Sequence, residues 1–248
     1  MILLLRKRSL AFMFTGLFFL GLSFGTYKIT MHPEMNNWVE QKIVITRVQT
    51  DQKAVGLTFD DGPDPTNTTA ILDTLQKHHA KATFFVLGAK SEEHPQLLQR
   101  MVKEGHEVGN HSFRHADYSQ KSSDFLKDDI TRTNHTILQI TSTKPAFVRP
   151  PGGFLSYDLV DIVKKESQRI AYWSYETDCR DWMNGKTASS IANHIVQNIQ
   201  PGQIIILHDG CPNSMQTASA VSMILDQLTE DGYQFLTMTE LLKLEKAE

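Results

Sequence analysis

Cysteine is scarce in this chain of 248 residues, where Cys179 and Cys211 are the only two. Two cysteines are too few for a scaffold built on disulfides, and their spacing is not the C-x-x-C pairing of zinc ribbons, so both classes of protein are excluded. The sequence leaves open whether the two thiols form a single disulfide.

A basic excess is also missing. Lys and Arg number 25 against 28 Asp and Glu, which gives a formal net charge of -3. Proteins that bind nucleic acid carry a basic patch or stripe, so we expect no nucleic acid partner. The length suits one domain with a substantial core and is short for two.

The one long apolar run lies at the N-terminus. Arg6, Lys7 and Arg8 precede the uncharged stretch 9–25, which is rich in Leu and Phe. A positive segment followed by an apolar one is typical of an export signal, and this stretch also approaches the length of a spanning helix. We therefore expect residues 1–28 to be a signal peptide or an N-terminal membrane anchor, with membrane contact if the segment is not cleaved. The positive-inside rule places the remainder outside the cytoplasmic membrane, secreted to the cell wall or anchored.

The domain organisation is inferred from residues that interrupt regular secondary structure and from the periodic spacing of apolar residues. Residues 29–50 are expected to be a connector, and residues 51–248 the folded domain. Within that domain strand-like runs alternate with helical patterns, which favours βα units and a mostly parallel sheet. The expected strands are 54–59, 82–87, 107–108, 147–148, 170–175 and 203–207. The expected helices are 69–79, 96–104, 124–140, 157–166, 188–199 and 216–230.

Two polar clusters follow expected strands and suggest a metal site. Asp60 and Asp61 end the first strand. Adjacent ionised carboxylates repel each other, and a nearby cation would relieve this repulsion. The alternative to a cation site is an ordinary solvated turn. His111 and His115 follow the third strand and share a face if that segment turns helically. One Asp and two His supply the three protein ligands of a catalytic zinc site, which keeps a position for water.

Three further signals stand at strand ends. Arg149 follows the fourth strand, and its guanidinium fork suits the orientation of a carboxylate. After the fifth strand the acidic residue Asp181 is followed by the aromatic residue Trp182. His208 stands at the end of the last strand. Each alone has a structural alternative, such as a surface arginine, a half-buried aromatic or a satisfied histidine. Their joint occurrence at the edge where α/β proteins gather functional residues favours an active site.

The five clusters read T-F-D-D-G, H-S-x-x-H, R-P-P-x-G, D-x-x-D-W and L-H, in that order. From about Val55 to the C-terminus, the chain thereby resembles the polysaccharide deacetylase family with the NodB homology domain, carbohydrate esterase family 4. The resemblance implies an α/β fold, a distorted (β/α) barrel with fewer than eight parallel strands, about seven. One departure is Gly152, where many members carry Tyr, which affects the shape of the groove.

The resemblance also implies roles for individual residues. The metal ligands are Asp61, His111 and His115, for zinc or alternatively cobalt, nickel or manganese. The catalytic residues are Asp60 as base, His208 as acid, Arg149 as tether of the base and Asp181 as the group that orients the acid. The substrate-binding residues are Gly152 through its backbone amide, Trp182 as a wall and Leu207 as a pocket for the acetyl methyl.

The expected activity is metal-dependent hydrolysis of N-acetyl groups from a polysaccharide, with release of acetate. The export arrangement favours peptidoglycan, at N-acetylglucosamine or N-acetylmuramic acid, while chitin oligosaccharides, xylan and exopolysaccharide are alternatives. Two other classes remain open. One is a non-catalytic glycan-binding cell-wall protein, and the other is a glycosidase with Asp60 and Asp181 as its acid and base pair.

Overall fold

The apolar runs of the sequence form one sheet of short parallel strands in this computed structural model, which describes residues 34–246. The strands are β1 Val44–Ile45, β2 Ala54–Asp60, β3 Thr83–Val86, β4 Glu107–Asn110, β5 Phe147–Val148, β6 Arg169–Ala171, β7 Ile204–His208 and β8 Gln234–Leu236. Every residue of β2 is buried, as expected for a parallel strand that is covered on both faces.

Seven strands lie side by side in the order β1-β6-β5-β4-β3-β2-β7, and β8 pairs with the first half of β2 off this path. The two ends of the path approach each other. The amide of Val48, after β1, donates to the carbonyl of Gly202 (2.8 Å), and the amide of Ser174, after β6, donates to the carbonyl of Ile204 (3.0 Å). The sheet therefore curves into a distorted barrel, and the predicted α/β fold with about seven parallel strands is confirmed.

Helices cover the outside of this sheet. They are α1 Met35–Glu40, α2 Asn67–Lys77, α3 Gly88–Glu93, α4 Pro95–Lys103, α5 Ser123–Thr141, α6 Tyr157–Lys165, α7 Ala188–Asn198, α8 Ser214–Glu230 and α9 Met238–Leu242. The longest, α5, begins where the hydroxyl of Ser122 accepts the amide of Phe125, and it ends at Ser142 in the left-handed conformation (φ 59°). Within residues 34–246, none of the helices has both the length and the apolar character required to span a bilayer.

The alternation of side chains along β3 separates two regions of the core. Phe84 packs outward into the cluster beneath the helices, whereas Phe85 points inward with Phe147 and Ile204. Burial of each large apolar side chain stabilises the fold by roughly 1.5–3 kcal/mol. This packed interior supports the edge of the sheet where the strands end.

The six expected strands and six expected helices occur with boundaries displaced by a few residues, except that β6 stops at Ala171 rather than at residue 175. The structure also contains short elements that the periodicity did not indicate: α1, β1, α3, β8 and α9. Trp38 in α1 and Val44 in β1 are buried, so part of the expected connector 29–50 packs into the domain. The expected signal or anchor, residues 1–28, lies outside the described residues.

Candidate active site

The candidate site lies at the carboxyl edge of the sheet. β2 ends at Asp60 and β7 ends at His208, and these two residues are register partners on adjacent strands. His111 directly follows β4, and Arg149 directly follows β5. Because all the strands run in parallel, their ends meet at one edge and bring together side chains that are distant in sequence.

Asp61, His111 and His115 form a triad at this edge. Each offers one ligand atom, and the three atoms lie within 4.8 Å of one another; this is the only such group of His, Cys, Asp and Glu in residues 34–246. The Nε2 atoms of both histidines lie 3.4 Å from Oδ1 of Asp61. Nδ1 of His111 donates to the carbonyl oxygen of Arg149 (2.7 Å), since a carbonyl only accepts, and this leaves the Nε2 lone pair for a ligand.

The triad fits a divalent metal ion. Oδ1 of Asp61 is buried and has no hydrogen-bond donor in the described part of the chain. Burial raises the pKa of Asp61, but the interaction with His111 and the charges of His115 and His208 outweigh this effect and hold the pKa well below its usual value. The carboxylate is therefore ionised, as a metal ligand must be. One carboxylate oxygen and two imidazole nitrogens are a donor set of catalytic zinc sites.

The spacing of the two histidines predicted a helical turn, but the structure has none at this point. The segment between them is an irregular loop, in which Ser112 (φ 74°) and His115 (φ 54°) are left-handed. Side chains from outside hold this loop: Oδ1 of Asn110 accepts the amide of Ser112, and Oδ1 of Asp129 accepts the amide of Phe113, both at 2.8 Å. These bonds replace the backbone bonds of a helix and keep the two imidazole rings 5.2 Å apart.

Arg149 orients Asp60 from inside the barrel. The Arg149 side chain is fully buried, and its Nη1 donates to Oδ1 of Asp60 and to the hydroxyl of Thr58, both at 2.8 Å. Its Nε and Nη2 donate to the carbonyls of Ala171 and Tyr172. The guanidinium is thus satisfied on all sides, and it keeps the Asp60 carboxylate in one orientation at the cavity wall.

Asp181 orients His208 in a second buried pair. Oδ1 of Asp181 lies 2.7 Å from Nδ1 of His208, while its Oδ2 accepts the amide of His208 (2.8 Å) and the hydroxyl of Thr217 (2.7 Å). Burial lowers the pKa of His208, but the hydrogen bond and charge of Asp181 prevail and raise it to about 9. His208 is therefore protonated at neutral pH and suited to donate a proton.

The pKa of His208 predicts the alkaline limit of activity. Activity that needs protonated His208 falls as the pH rises through this pKa. Asp181→Asn removes the charge that raises the pKa, so we expect the alkaline limb of kcat/KM to move to lower pH by roughly 1–3 units. The measurement is the pH profile of the hydrolysis that the resemblance leads us to expect. Asp226→Asn, which removes a carboxylate 3.7 Å from His78, is the matched control and should leave the limb in place; an unchanged limb in Asp181→Asn would contradict the pairing.

A cavity of about 460 Å³ joins these groups. It is lined by Asp60, Asp61, His111, His115, Pro150, Gly152, Gly153, Trp173, Asp178, Arg180, Trp182, Ile206, His208, Cys211 and Pro212. Trp182 is half exposed at its wall, and Gly152 (φ 61°) has open space where a side chain would begin. The thiols of Cys179 and Cys211 are both free.

The structure places Leu207 away from the cavity, which corrects its assignment to the acetyl pocket. Leu207 is fully buried in the core beneath the helices. Because side chains alternate along a strand, Ile206 shares its face with His208 and lines the cavity instead. This alternation can be predicted from the sequence of β7, because residues two apart on a strand share a face. It identifies Ile206 as the apolar neighbour of His208.

Other residues of the site carried no local signal. Two residues near the start of α8 hold Asp181. The hydroxyl of Thr217 donates to Oδ2 of Asp181, and Nδ2 of Asn213 donates to the carbonyl oxygen of Asp181, both at 2.7 Å. Trp173 lines the cavity after β6, and Asp129 supports the loop of the two histidines from α5. These residues belong to other segments of the chain, so only the fold reveals their contacts.

A wider groove of about 870 Å³ lies at the opposite edge, where β3 and β4 begin. Its polar lining includes Gln76, Gln96, Gln99 and Lys103. Functional sites of parallel α/β sheets lie at the carboxyl edge. In this structure that edge holds the triad, the pair of Asp60 with Arg149 and the pair of Asp181 with His208. The smaller cavity is therefore the candidate active site.

The fold and this cavity define a hydrolase of the (β/α) barrel class with a candidate metal centre. The pattern of the family described as Polysaccharide deacetylase matches residues 47–170. A Bacillus cereus relative, "Peptidoglycan-N-acetylglucosamine deacetylase", is 38% identical over 200 residues, which cover 81% of this chain and 93% of the relative. The chain belongs to the polysaccharide deacetylase family, carbohydrate esterase family 4, and is a deacetylase of that family.

Solved structures share this fold. A peptidoglycan N-acetylglucosamine deacetylase in complex with 4-naphthalen-1-yl-N-oxidanyl-benzamide superposes with a TM-score of 0.79 at 31% identity, covering 85% of this chain and 98% of that one. A CE4 family pseudoenzyme from Bacillus anthracis has a TM-score of 0.75 at 29% identity, covering 83% of this chain and 71% of that one. The fold therefore occurs both with and without activity, so the side chains in the cavity must carry the functional argument.

Proposed function

We propose that this chain removes N-acetyl groups from the amino sugars of peptidoglycan and releases acetate, with N-acetylglucosamine as the first choice of substrate and N-acetylmuramic acid as the alternative. One observation carries the proposal. The oriented carboxylate of Asp60, the charged imidazole of His208 and the triad around Asp61 border the same cavity. A base, an acid and a metal centre are the groups that hydrolysis of an acetamide requires.

Asp61, His111 and His115 would hold the metal, for which the donor set favours zinc, with cobalt, nickel or manganese as alternatives. When bound, the metal supplies Lewis acidity to the acetamide carbonyl and makes water more acidic. Asp60 accepts the proton of the attacking water on the oxygen that Arg149 leaves free.

His208 as the acid and the residues that line the cavity supply the remaining interactions of the reaction. His208 donates a proton from Nε2 to the departing amine, because its Nδ1 is engaged by Asp181. The backbone amide of Gly152 donates to the acetyl carbonyl oxygen and stabilises the negative charge that this oxygen gains when water attacks the acetyl carbon, and the loss of one such donor typically costs roughly 100-fold or more in rate. Ile206 contacts the acetyl methyl, and Trp182 stacks on a sugar ring.

The location follows from the substrate and from the N-terminal segment. Peptidoglycan lies outside the cytoplasmic membrane, and the positive and apolar segments within residues 1–28 suit export to the same side. The Bacillus cereus relative carries a peptidoglycan activity in its name, which supports a cell-wall glycan over xylan, exopolysaccharide or free chitin oligosaccharides. The catalytic domain acts at the cell wall, secreted or anchored.

The two rival classes differ in their demands on the cavity. A glycosidase would need Asp181 as an available acid or base, but both oxygens of this buried carboxylate accept hydrogen bonds from His208 and Thr217. A non-catalytic glycan-binding protein, like the Bacillus anthracis pseudoenzyme in fold, has no use for a base and an acid that are each held by a buried partner. Both observations favour the deacetylase.

Incubation of the purified chain with peptidoglycan should release acetate, and dialysis against a chelator should suppress this release until Zn²⁺ is restored. The reason is that Asp61 and the two histidines supply no Lewis acid of their own. Mass spectrometry of the digested glycan identifies the deacetylated sugar, and chitin oligomers in parallel test the alternative substrate. Shortened glycan without acetate would indicate a glycosidase, and intact, bound glycan would indicate a binding protein.

A further inference from the structure

Lys90 joins the loops that follow β2 and β7, next to the metal ligand Asp61 and the acid His208. This half-buried lysine lies in the first turn of α3, and its Nζ donates to the carbonyl oxygen of Asp61 (2.9 Å) and to that of Gly210 (3.0 Å). Asp61 follows β2 and Gly210 follows β7, so a single ammonium group bonds the backbones of two adjacent loops. The reaction steps above do not use Lys90.

The two loops also touch backbone to backbone. A Cβ atom added at Gly210 would lie 2.0 Å from the carbonyl oxygen of Asp61, and one added at Gly62 would lie 2.3 Å from Oδ2 of Asp209. Contacts this short do not occur for real side chains. Glycine at both positions therefore permits an approach that brings the two carbonyls within reach of one ammonium group.

Asp61 needs such a constraint because its backbone is left-handed, with φ 73°. This conformation is unfavourable for a residue other than glycine and persists where the surroundings impose it. If the peptide of Asp61 relaxed, its carboxylate would turn away from the imidazoles of His111 and His115. The position of the carbonyl oxygen is thus coupled to the geometry of the triad.

We infer that Lys90 is a positioning residue: by bonding the carbonyls of Asp61 and Gly210 it holds the Asp61 carboxylate in place as a metal ligand and fixes the loop of His208 beside it. The inference rests on the proposed function, since it assumes that the triad binds a metal. Lys90 acts through Asp61 and is not among the residues that line the cavity. Residues that orient metal ligands in this way typically change metal affinity by roughly 10- to 100-fold.

The test measures Zn²⁺ affinity in the full-length chain after removal of metal, by competition with a chromogenic chelator. Lys90→Met should weaken Zn²⁺ binding by about 10-fold or more, while the melting temperature of the metal-free protein stays near that of the wild type. Lys90→Arg, which retains donors for both carbonyls, should recover part of the affinity. Gly210→Ala should weaken binding independently, because its methyl group displaces the Asp61 carbonyl. Lys144→Met is the matched control, since Nζ of Lys144 also donates to a carbonyl, that of Glu166 (2.8 Å), far from the triad.

The outcomes separate this inference from the proposed function. Wild-type affinity in Lys90→Met, or a loss equal to that in Lys144→Met, overturns the role of Lys90 and leaves the deacetylase proposal intact. A metal-free Lys90→Met protein that melts well below the wild type makes Lys90 a general structural residue and also overturns its assignment. A wild-type chain that binds no Zn²⁺ contradicts the metal centre and the inference together.

Discussion

Asp60→Asn is expected to reduce acetate release by roughly 10²- to 10⁴-fold, the usual contribution of a positioned general base. The substitution keeps the shape of the side chain and leaves an amide oxygen that accepts from Arg149, so the fold and the triad should persist. What it removes is the proton acceptor for the attacking water. The measurement is the initial rate of acetate release, together with the zinc content of the purified variant.

Asp161→Asn is the control for this result. Asp161 is an exposed residue of α6, and the same change of chemistry there should leave both the rate and the zinc content unaltered. A nearly normal zinc content with lost activity identifies Asp60 as the base and not as a metal ligand. Undiminished turnover in Asp60→Asn would refute the assigned role, and lost zinc would move Asp60 to the ligand set.

Arg149→Met is expected to lower the free energy of unfolding by about 3–5 kcal/mol, as is typical when one partner of a buried ion pair is removed. The Arg149 side chain is 0% exposed and bonds to Asp60, Thr58 and two backbone carbonyls. Without it the carboxylate of Asp60 stays in the interior without a cation. Urea denaturation of the metal-free variant measures the change.

The double variant Asp60→Asn with Arg149→Met separates charge from packing. Because it removes the uncompensated carboxylate, it should be more stable than Arg149→Met alone. Arg169→Met, at an exposed arginine that begins β6, should change the stability by no more than about 0.5 kcal/mol. If the double variant were as unstable as the single one, the loss would come from packing and not from the buried charge.

The elements that the sequence predicted well are those with a long or regular apolar pattern. β2 and β7 are continuous buried runs, and α5 and α8 repeat their apolar residues over several turns. Short elements such as β1, with two residues, contain less than one period of any pattern. Their place in the sheet depends on pairing with β6, a partner far along the chain.

Two details of the candidate site show what local reasoning missed. The expectation of a helical turn between His111 and His115 considered only backbone periodicity, whereas Asn110 and Asp129 impose a loop through side-chain bonds. The assignment of Leu207 ignored the alternation along a strand, which turns Ile206 and not Leu207 toward the cavity. The first detail depends on tertiary contacts, while the second follows from strand geometry alone.

By itself the sequence determined the family, the strand ends at which polar residues interrupt apolar runs, and the kinds of chemical groups that stand there. A residue's type and its neighbours along the chain specify these properties. Only the tertiary structure decided the distances at which these groups meet and the partners that lie outside the motifs: the 4.8 Å within the triad, the 2.8 Å from Arg149 to Asp60, the bond of Thr217 to Asp181, and the bridge that Lys90 makes between two loops. Such contacts join segments that are distant in sequence, and their distances depend on how the parallel strands pair and curve, which no local pattern encodes.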